Sequence, residues 1–194
     1  MSALTISAIS LALTGAAEPK PDRSGAQGES RPVEAGCKSL KNGWCAPVVE
    51  GVFAGYVGDT GLDLLADKKG VVAVADGVLE YAEHGHTRWT SPPDTPNSAR
   101  IRLDVPLVTK KCRVTHVYYT HMSELSVHQP ADDAAPQRIG RGDRIGLTGI
   151  GNRVPHLHLG LICEGRVAQE TWDDILREDE VRAALGGYLN GARL

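Results

Sequence analysis

Pro155-His156-Leu157-His158-Leu159-Gly160 alternates imidazoles with leucines. Successive side chains on a strand point to opposite faces. The stretch therefore reads as a strand with His156 and His158 on one face and Leu157 and Leu159 entering a core behind them. Two imidazoles side by side on a rigid element suit a metal ligand next to a proton-handling base. A half-exposed strand that merely carries two histidines has the same pattern, so the neighbouring segments have to decide between the two. The other copy of the spacing, His84-Gly85-His86, opens a loop containing Pro92, Pro93 and Pro96. There, glycine and a coil context argue for exposed loop histidines rather than ligands.

The segments around the histidine strand are short, glycine-punctuated and apolar. Val48 to Tyr56 is a candidate first strand, Gly58-Asp59-Thr60-Gly61 a turn, and Leu62 to Ala66 a short strand. Val71 to Ala75 is a β-branched run. Asp76-Gly77 after it is a hairpin signal, with Val78 to Tyr81 as the return strand. Ile101, Leu103 and Val105 alternate with Arg102 and Asp104, a half-buried strand. Cys112 to His121 reads as its partner, with Val117, Tyr119 and His121 on one face. Arg138 to Gly146 is a turn into a further short strand, and Gly149 to Val154 a loop feeding the histidine strand. Helical spacing from Trp172 to Leu185 ends near Gly186-Gly187. The count is many strands and one C-terminal helix, which predicts an all-β, antiparallel domain.

The chain has 194 residues, enough for one domain with a real core and tails. Its net charge of -3 gives no electrostatic case for nucleic acid or an anionic membrane. The apolar run from Ala3 to Leu13 is too short to span a bilayer, and Gly15-Ala16-Ala17 resembles the small residues before a signal cleavage site. No Lys or Arg precedes the run, as a signal peptide would require, so a loosely packed N-terminal segment is the other reading. Residues 18–46 read as a Pro-, Gly- and Ser-rich linker that leads into a Cys37/Cys45 loop, and residues 47–190 as the folded domain. The 4 cysteines are an even count, as disulfides in an exported chain require. Cys37 and Cys45 flank a short loop, and Cys112 and Cys163 lie in separate strands, so the expected pairs are Cys37–Cys45 and Cys112–Cys163. The absence of a C-x-x-C pair argues against a four-cysteine zinc site.

Five motifs occur in a particular order: Gly61-x-Asp63-Leu64, Val74-Ala75-x-Gly77-Val78, Tyr119-Thr120-His121-Met122, Gly142-Asp143-x-Ile145-Gly146 and His156-Leu157-His158. In that order and spacing the chain resembles the lysostaphin/LytM-type zinc metallopeptidases, which cut peptide cross-links in bacterial peptidoglycan. The resemblance runs from about Val48 to Cys163. It implies a narrow antiparallel sheet with a substrate groove and a Zn2+ ion at the groove floor. In the family, zinc is held by the His and Asp of an H-x-G-x-D motif and by the second His of H-x-H. The Asp and the second His correspond to Asp63 and His158. The first His of H-x-H and the His of the Tyr-x-His strand surround the catalytic water and the oxyanion, and these correspond to His156 and His121. A peptidoglycan peptide would be the substrate, and the cell envelope or the extracellular space the location.

The departure is at the first ligand, where Asp59-Thr60-Gly61-Leu62-Asp63 stands in place of H-x-G-x-D. An aspartate can ligate zinc through oxygen. A site of Asp59, Asp63 and His158 would carry more negative charge, be a weaker Lewis acid and raise the pKa of bound water. Oxygen ligation also moves preference toward a harder ion such as Mn2+. Three readings stay open for Asp59: a working ligand, the mark of a catalytically degenerate protein that binds peptidoglycan or regulates a hydrolase, or a turn residue beside a metal held by other groups.

Overall fold

The architecture follows from the alternation of leucines with polar residues on the central strands. The computed structural model describes residues 36–49, 52–53, 60–86, 91–166, 176–186, 188–189 and 192–193. The expected leader, most of the linker, Asp59 and Trp172 lie outside these residues. The strands of the main sheet are β1 (Val52–Phe53), β2 (Leu62–Leu65), β3 (Gly70–Val72), β4 (Gly77–His84), β5 (Asn97–Val108), β6 (Arg113–Leu125), β7 (Gln137–Ile139), β8 (Arg144–Gly151) and β9 (Val154–Cys163), and Tyr188–Leu189 pairs with Ala192–Arg193 in a separate two-stranded sheet. A single helix among the described residues, α1 (Glu178–Ala184), follows. All the strand pairings are antiparallel, in the order β1-β2-β9-β8-β6-β5-β4-β7, with β3 on β8 and a further β9–β6 pairing. The all-β antiparallel expectation holds.

β9 is the strand on which the others register. Leu62 on β2 and Tyr119 on β6 both lie opposite Leu159, and Leu64 lies opposite Leu157. Residues directly opposite share a face, so these side chains form one apolar layer. Leu62, Leu64, Val117, Tyr119, Leu157, Leu159 and Leu161 are fully buried in it. The Tyr119 hydroxyl accepts a hydrogen bond from the Val74 backbone N–H, so its polar end is satisfied inside the core. On the opposite face, Asp63 and Thr120 both lie opposite His158, and Leu65 and Gly149 lie opposite His156. A strand flanked on both sides has little freedom to slip, because a shift of one residue would drive the histidines into the core.

Both expected disulfides form, Cys37–Cys45 and Cys112–Cys163. The second ties the β5–β6 turn to the end of β9.

Three sequence expectations are corrected. The Val71–Ala75 run and the Val78–Tyr81 segment are not a hairpin: β3 pairs with β8, and β4 pairs with β5 and β7. Ala73 and Val74 are fully buried and bond to Asp143, Gly142, Cys45 and the Tyr119 hydroxyl, so the apolar run is a buried crossing between two parts of the sheet. Gly77 is needed there for close approach, since a Cβ on it would sit 2.4 Å from the Arg102 carbonyl oxygen. On β5 the alternation stops before Val105, which is 78% exposed because the register with β6 shifts between Arg102 and Leu107. The described helix starts at Glu178, later than the helical spacing implied.

Candidate functional site

Four side chains chosen from the sequence meet on the polar face of the central strands. The register that puts Asp63 opposite His158 also brings the Asp63 Oδ1 to 2.7 Å from the His158 Nδ1. The His156 Nε2 is 3.6 Å from the same oxygen. The His121 ring lies 5.0 Å from that of His156 and 6.3 Å from that of His158, both edge-on. All four residues are buried.

Gly61, two residues before Asp63, has a physical reason to be glycine. Its φ is +82°, and a Cβ there would meet the His158 Nε2 and the Leu159 carbonyl oxygen, each at 2.7 Å. The turn into β2 passes over the imidazole at a distance that admits no side chain.

His121 reaches the site by breaking the strand rule. Strict alternation, as read from the sequence, puts it on the face of Val117 and Tyr119, which in the fold is the core face. Instead its backbone adopts φ +60°, a left-handed conformation that costs a non-glycine residue about 1–2 kcal/mol. This rotates the side chain out of alternation and onto the face that carries His156 and His158, while Met122 returns to the core. Gly151 leaves room for the ring: a Cβ at Gly151 would fall 2.5 Å from it.

The protonation pattern follows from burial and partners. Burial opposes ionisation of Asp63, but the His158 hydrogen bond and the electrostatic pull of the surrounding imidazoles outweigh it and hold its carboxyl below the usual range. Burial pushes His121 down to about 4, with the neighbouring His156 and His158 acting in the same direction. His121 is therefore uncharged at neutral pH. The His156 Nδ1 is 2.8 Å from the Val154 carbonyl oxygen, which can only accept, so Nδ1 carries a proton and Nε2 is turned toward the Asp63 carboxylate. Among the described residues, the His121 Nδ1 and the His158 Nε2 are buried without a hydrogen-bond partner. Unpartnered polar atoms in a buried cluster are unusual and call for a ligand or water.

For a metal, the donor set fits in part. A carboxylate oxygen and an imidazole nitrogen already face each other, the pairing that zinc accepts. Among the described residues no group of three or more His, Cys, Asp or Glu side chains is disposed to hold an ion. A third donor has to come from elsewhere, and Asp59 lies outside those residues.

Two of the remaining histidines, His86 and His116, have other partners. His86 stacks on Tyr81 with centroids 4.1 Å apart and bonds Glu83 at 2.7 Å. The His116 Nε2 lies 3.4 Å from Glu80, and His128 is exposed. The Tyr118 hydroxyl donates to the His86 carbonyl. Asn152 and Arg153 form a tight left-handed turn, with φ of +51° and +65°, between β8 and β9. The loop before β5, which read as featureless coil, supplies Thr95 behind His121. A lone threonine among prolines carries no sequence signal for that role.

No protein-family model matches the chain, and no curated protein matches it. Among solved structures it is similar to the catalytic domain of the antimicrobial peptidase lysostaphin from Staphylococcus simulans, at 20% identity over 61% of this chain and 74% of that one, with a TM-score of 0.40. It is also similar to a variant of the catalytic domain of the prophage-encoded protein EnpA from Enterococcus faecalis, at 18% identity over 63% of this chain and 89% of that one, with a TM-score of 0.43. A zinc-containing peptidase from Vibrio cholerae matches at 18% identity over 75% of this chain and 37% of that one, with a TM-score of 0.40. The chain spans about half the length of whole lysostaphin, 52% of which is covered at 20% identity, 74% of this chain and a TM-score of 0.46.

Proposed function

We propose that this chain is a metal-dependent endopeptidase that hydrolyses peptide cross-links of bacterial peptidoglycan. In this reading Asp63 and His158 are metal ligands, Asp59 is the third, and His121 and His156 handle protons. The observation that carries it is the convergence of Asp63, His121, His156 and His158, from three strands, on one buried face, with two imidazole nitrogens that have no hydrogen-bond partner among the described residues. A chain with no use for a ligand there has no evident physical reason to bury such a cluster.

A bound Zn2+ would supply Lewis acidity, polarising a carbonyl and acidifying water. Two charged carboxylates as ligands would weaken that effect and suit a harder ion such as Mn2+. The protein's own contribution is positional. The His156 Nδ1–H is anchored to the Val154 carbonyl, which aims Nε2 into the cluster as the atom that would exchange a proton. His121, neutral at working pH, can take a proton from an attacking water or donate to a developing oxyanion. The Asp63 carboxylate and the His158 Nδ1, which face each other, are the two donors that would hold the ion.

Two disulfides suit an oxidising compartment, which supports export to the envelope or beyond. No helix among the described residues is long and apolar enough to cross a membrane.

One observation favours a second reading, a silent module that docks on peptidoglycan or on a partner hydrolase. It is the aspartate at position 59 where the resemblance calls for histidine. Metal content by mass spectrometry, with release of new amino termini from purified peptidoglycan, separates the two. The enzyme reading expects about one equivalent of metal and peptide-bond cleavage, both reduced in Asp59→Ala. A native protein without either, which gains both as Asp59→His, establishes the silent reading.

A further inference from the structure

The left-handed backbone at His121 needs something to hold it, and the 91–96 loop provides it. The Thr95 hydroxyl lies 3.0 Å from the His121 carbonyl oxygen and 3.2 Å from that of Ile150, and it accepts a hydrogen bond from the Ile150 N–H at 2.9 Å. The Ile150 carbonyl already accepts the Thr95 N–H at 2.8 Å. A hydroxyl has one proton to give, so it goes to the better-placed acceptor, His121. One side chain thus ties β6 at its left-handed residue to β8, two strands away from its own loop.

Two glycines are cut to the same arrangement. A Cβ at Gly149 would lie 2.2 Å from the Thr95 hydroxyl and 2.6 Å from the His121 carbonyl oxygen. A Cβ at Gly151 would strike the His121 ring at 2.5 Å. The loop is itself clamped to the β8–β9 turn, since Asp94 accepts the Arg153 N–H at 3.1 Å. Backbone carbonyl, ring and loop therefore share one packed arrangement with little room for an alternative.

We propose that Thr95 is a positioning residue: its hydroxyl pins the left-handed backbone of His121 and so turns that imidazole onto the His156/His158 face. The proton-handling role of His121 rests on the function proposed above; the positioning itself does not. In the absence of the hydroxyl, His121 relaxes toward ordinary extended backbone, and its ring leaves Gly151 and swings toward the core side.

The test compares Thr95→Val, nearly isosteric and without the hydroxyl, with Thr95→Ser, which keeps it. The primary measurement is the nuclear Overhauser contact between the His121 ring protons and the Gly151 α-protons in the full chain. It should be strong in the native and serine proteins and lost in the valine protein. If the valine protein does not fold, Thr95→Ala makes the same comparison. Persistence of the contact without the hydroxyl overturns the proposal. The second measurement is peptidoglycan cleavage: kcat should fall at least tenfold in the valine protein with KM nearly unchanged, and serine should restore it. A native protein that cleaves nothing sinks the enzyme reading, and the ring contact still decides whether Thr95 positions His121.

Discussion

The chain contains two H-x-H stretches, and the fold treats them differently. His156-Leu157-His158 lies on β9, paired on both sides, with Leu157 locked into the core between β2 and its neighbours. Both rings are forced onto one face, beside a carboxylate. His84-Gly85-His86 lies at the end of β4, where pairing stops. Gly85 has φ +105° and His86 φ +60°, so the alternation fails and the His86 ring stacks on Tyr81 instead. The spacing of two residues means a shared face only where a flanked strand and a buried residue between the histidines enforce it.

The sharpest way to break this contrast is to truncate one histidine from each stretch. Loss of His158 as His158→Ala should cut bound metal and cleavage by about 100-fold or more, the scale on which even outer-shell partners of a metal matter. His86→Ala should leave metal content at the native level by mass spectrometry. Equal losses from the two would mean that the second stretch also serves the site.

The next test removes a core residue that follows the histidines on β9 rather than a histidine. Leu159→Ala opens a cavity in the layer behind the site and should cost about 2–5 kcal/mol, read from the denaturant midpoint. The same truncation at Val105, which is exposed, should stay within about 0.5 kcal/mol. A small effect at Leu159 would show that β9 is not held by its core face.

The smallest effect concerns the polar groups farther along the sheet. The His116 hydrogen bond acts most strongly on Glu80. Burial opposes it, and the charges of His116 and Arg100 add to it, so the Glu80 carboxyl sits below its ordinary 4.5. A depressed folded pKa contributes stability that is present above the unfolded value and lost as pH falls through the folded one. Acid unfolding should therefore be shallower below about pH 4.5 in Glu80→Gln than in the native protein, measured by thermal melts across pH. Identical slopes would remove Glu80 from the acid response.

Much of the site was legible because its identity lies in spacing. His156 and His158 share a face by alternation, Asp63 and His121 enter through the resemblance that the ordered motifs carry, and the disulfide pairs follow from a short loop and two strands. The face of His121 was not legible, because alternation predicts the core and only a left-handed residue overturns it. Thr95 was invisible for a different reason: its contacts with His121 and Ile150 span 26 and 55 residues and leave no local pattern. The Asp76-Gly77 signal misled because glycine at 77 answers to the Arg102 backbone pressed against it, not to a turn.

The sequence by itself determined which residues alternate, and with them the antiparallel β class, the core layer of Leu157 and Leu159 and the candidate side chains. The tertiary structure alone decided that Asp63 meets His158, that His121 crosses to their face and that Thr95 stands behind it. Alternation is a property of one strand and is written in its own residues. Convergence depends on the register among three strands and on a single inverted dihedral, and both are set by packing between segments far apart in the chain.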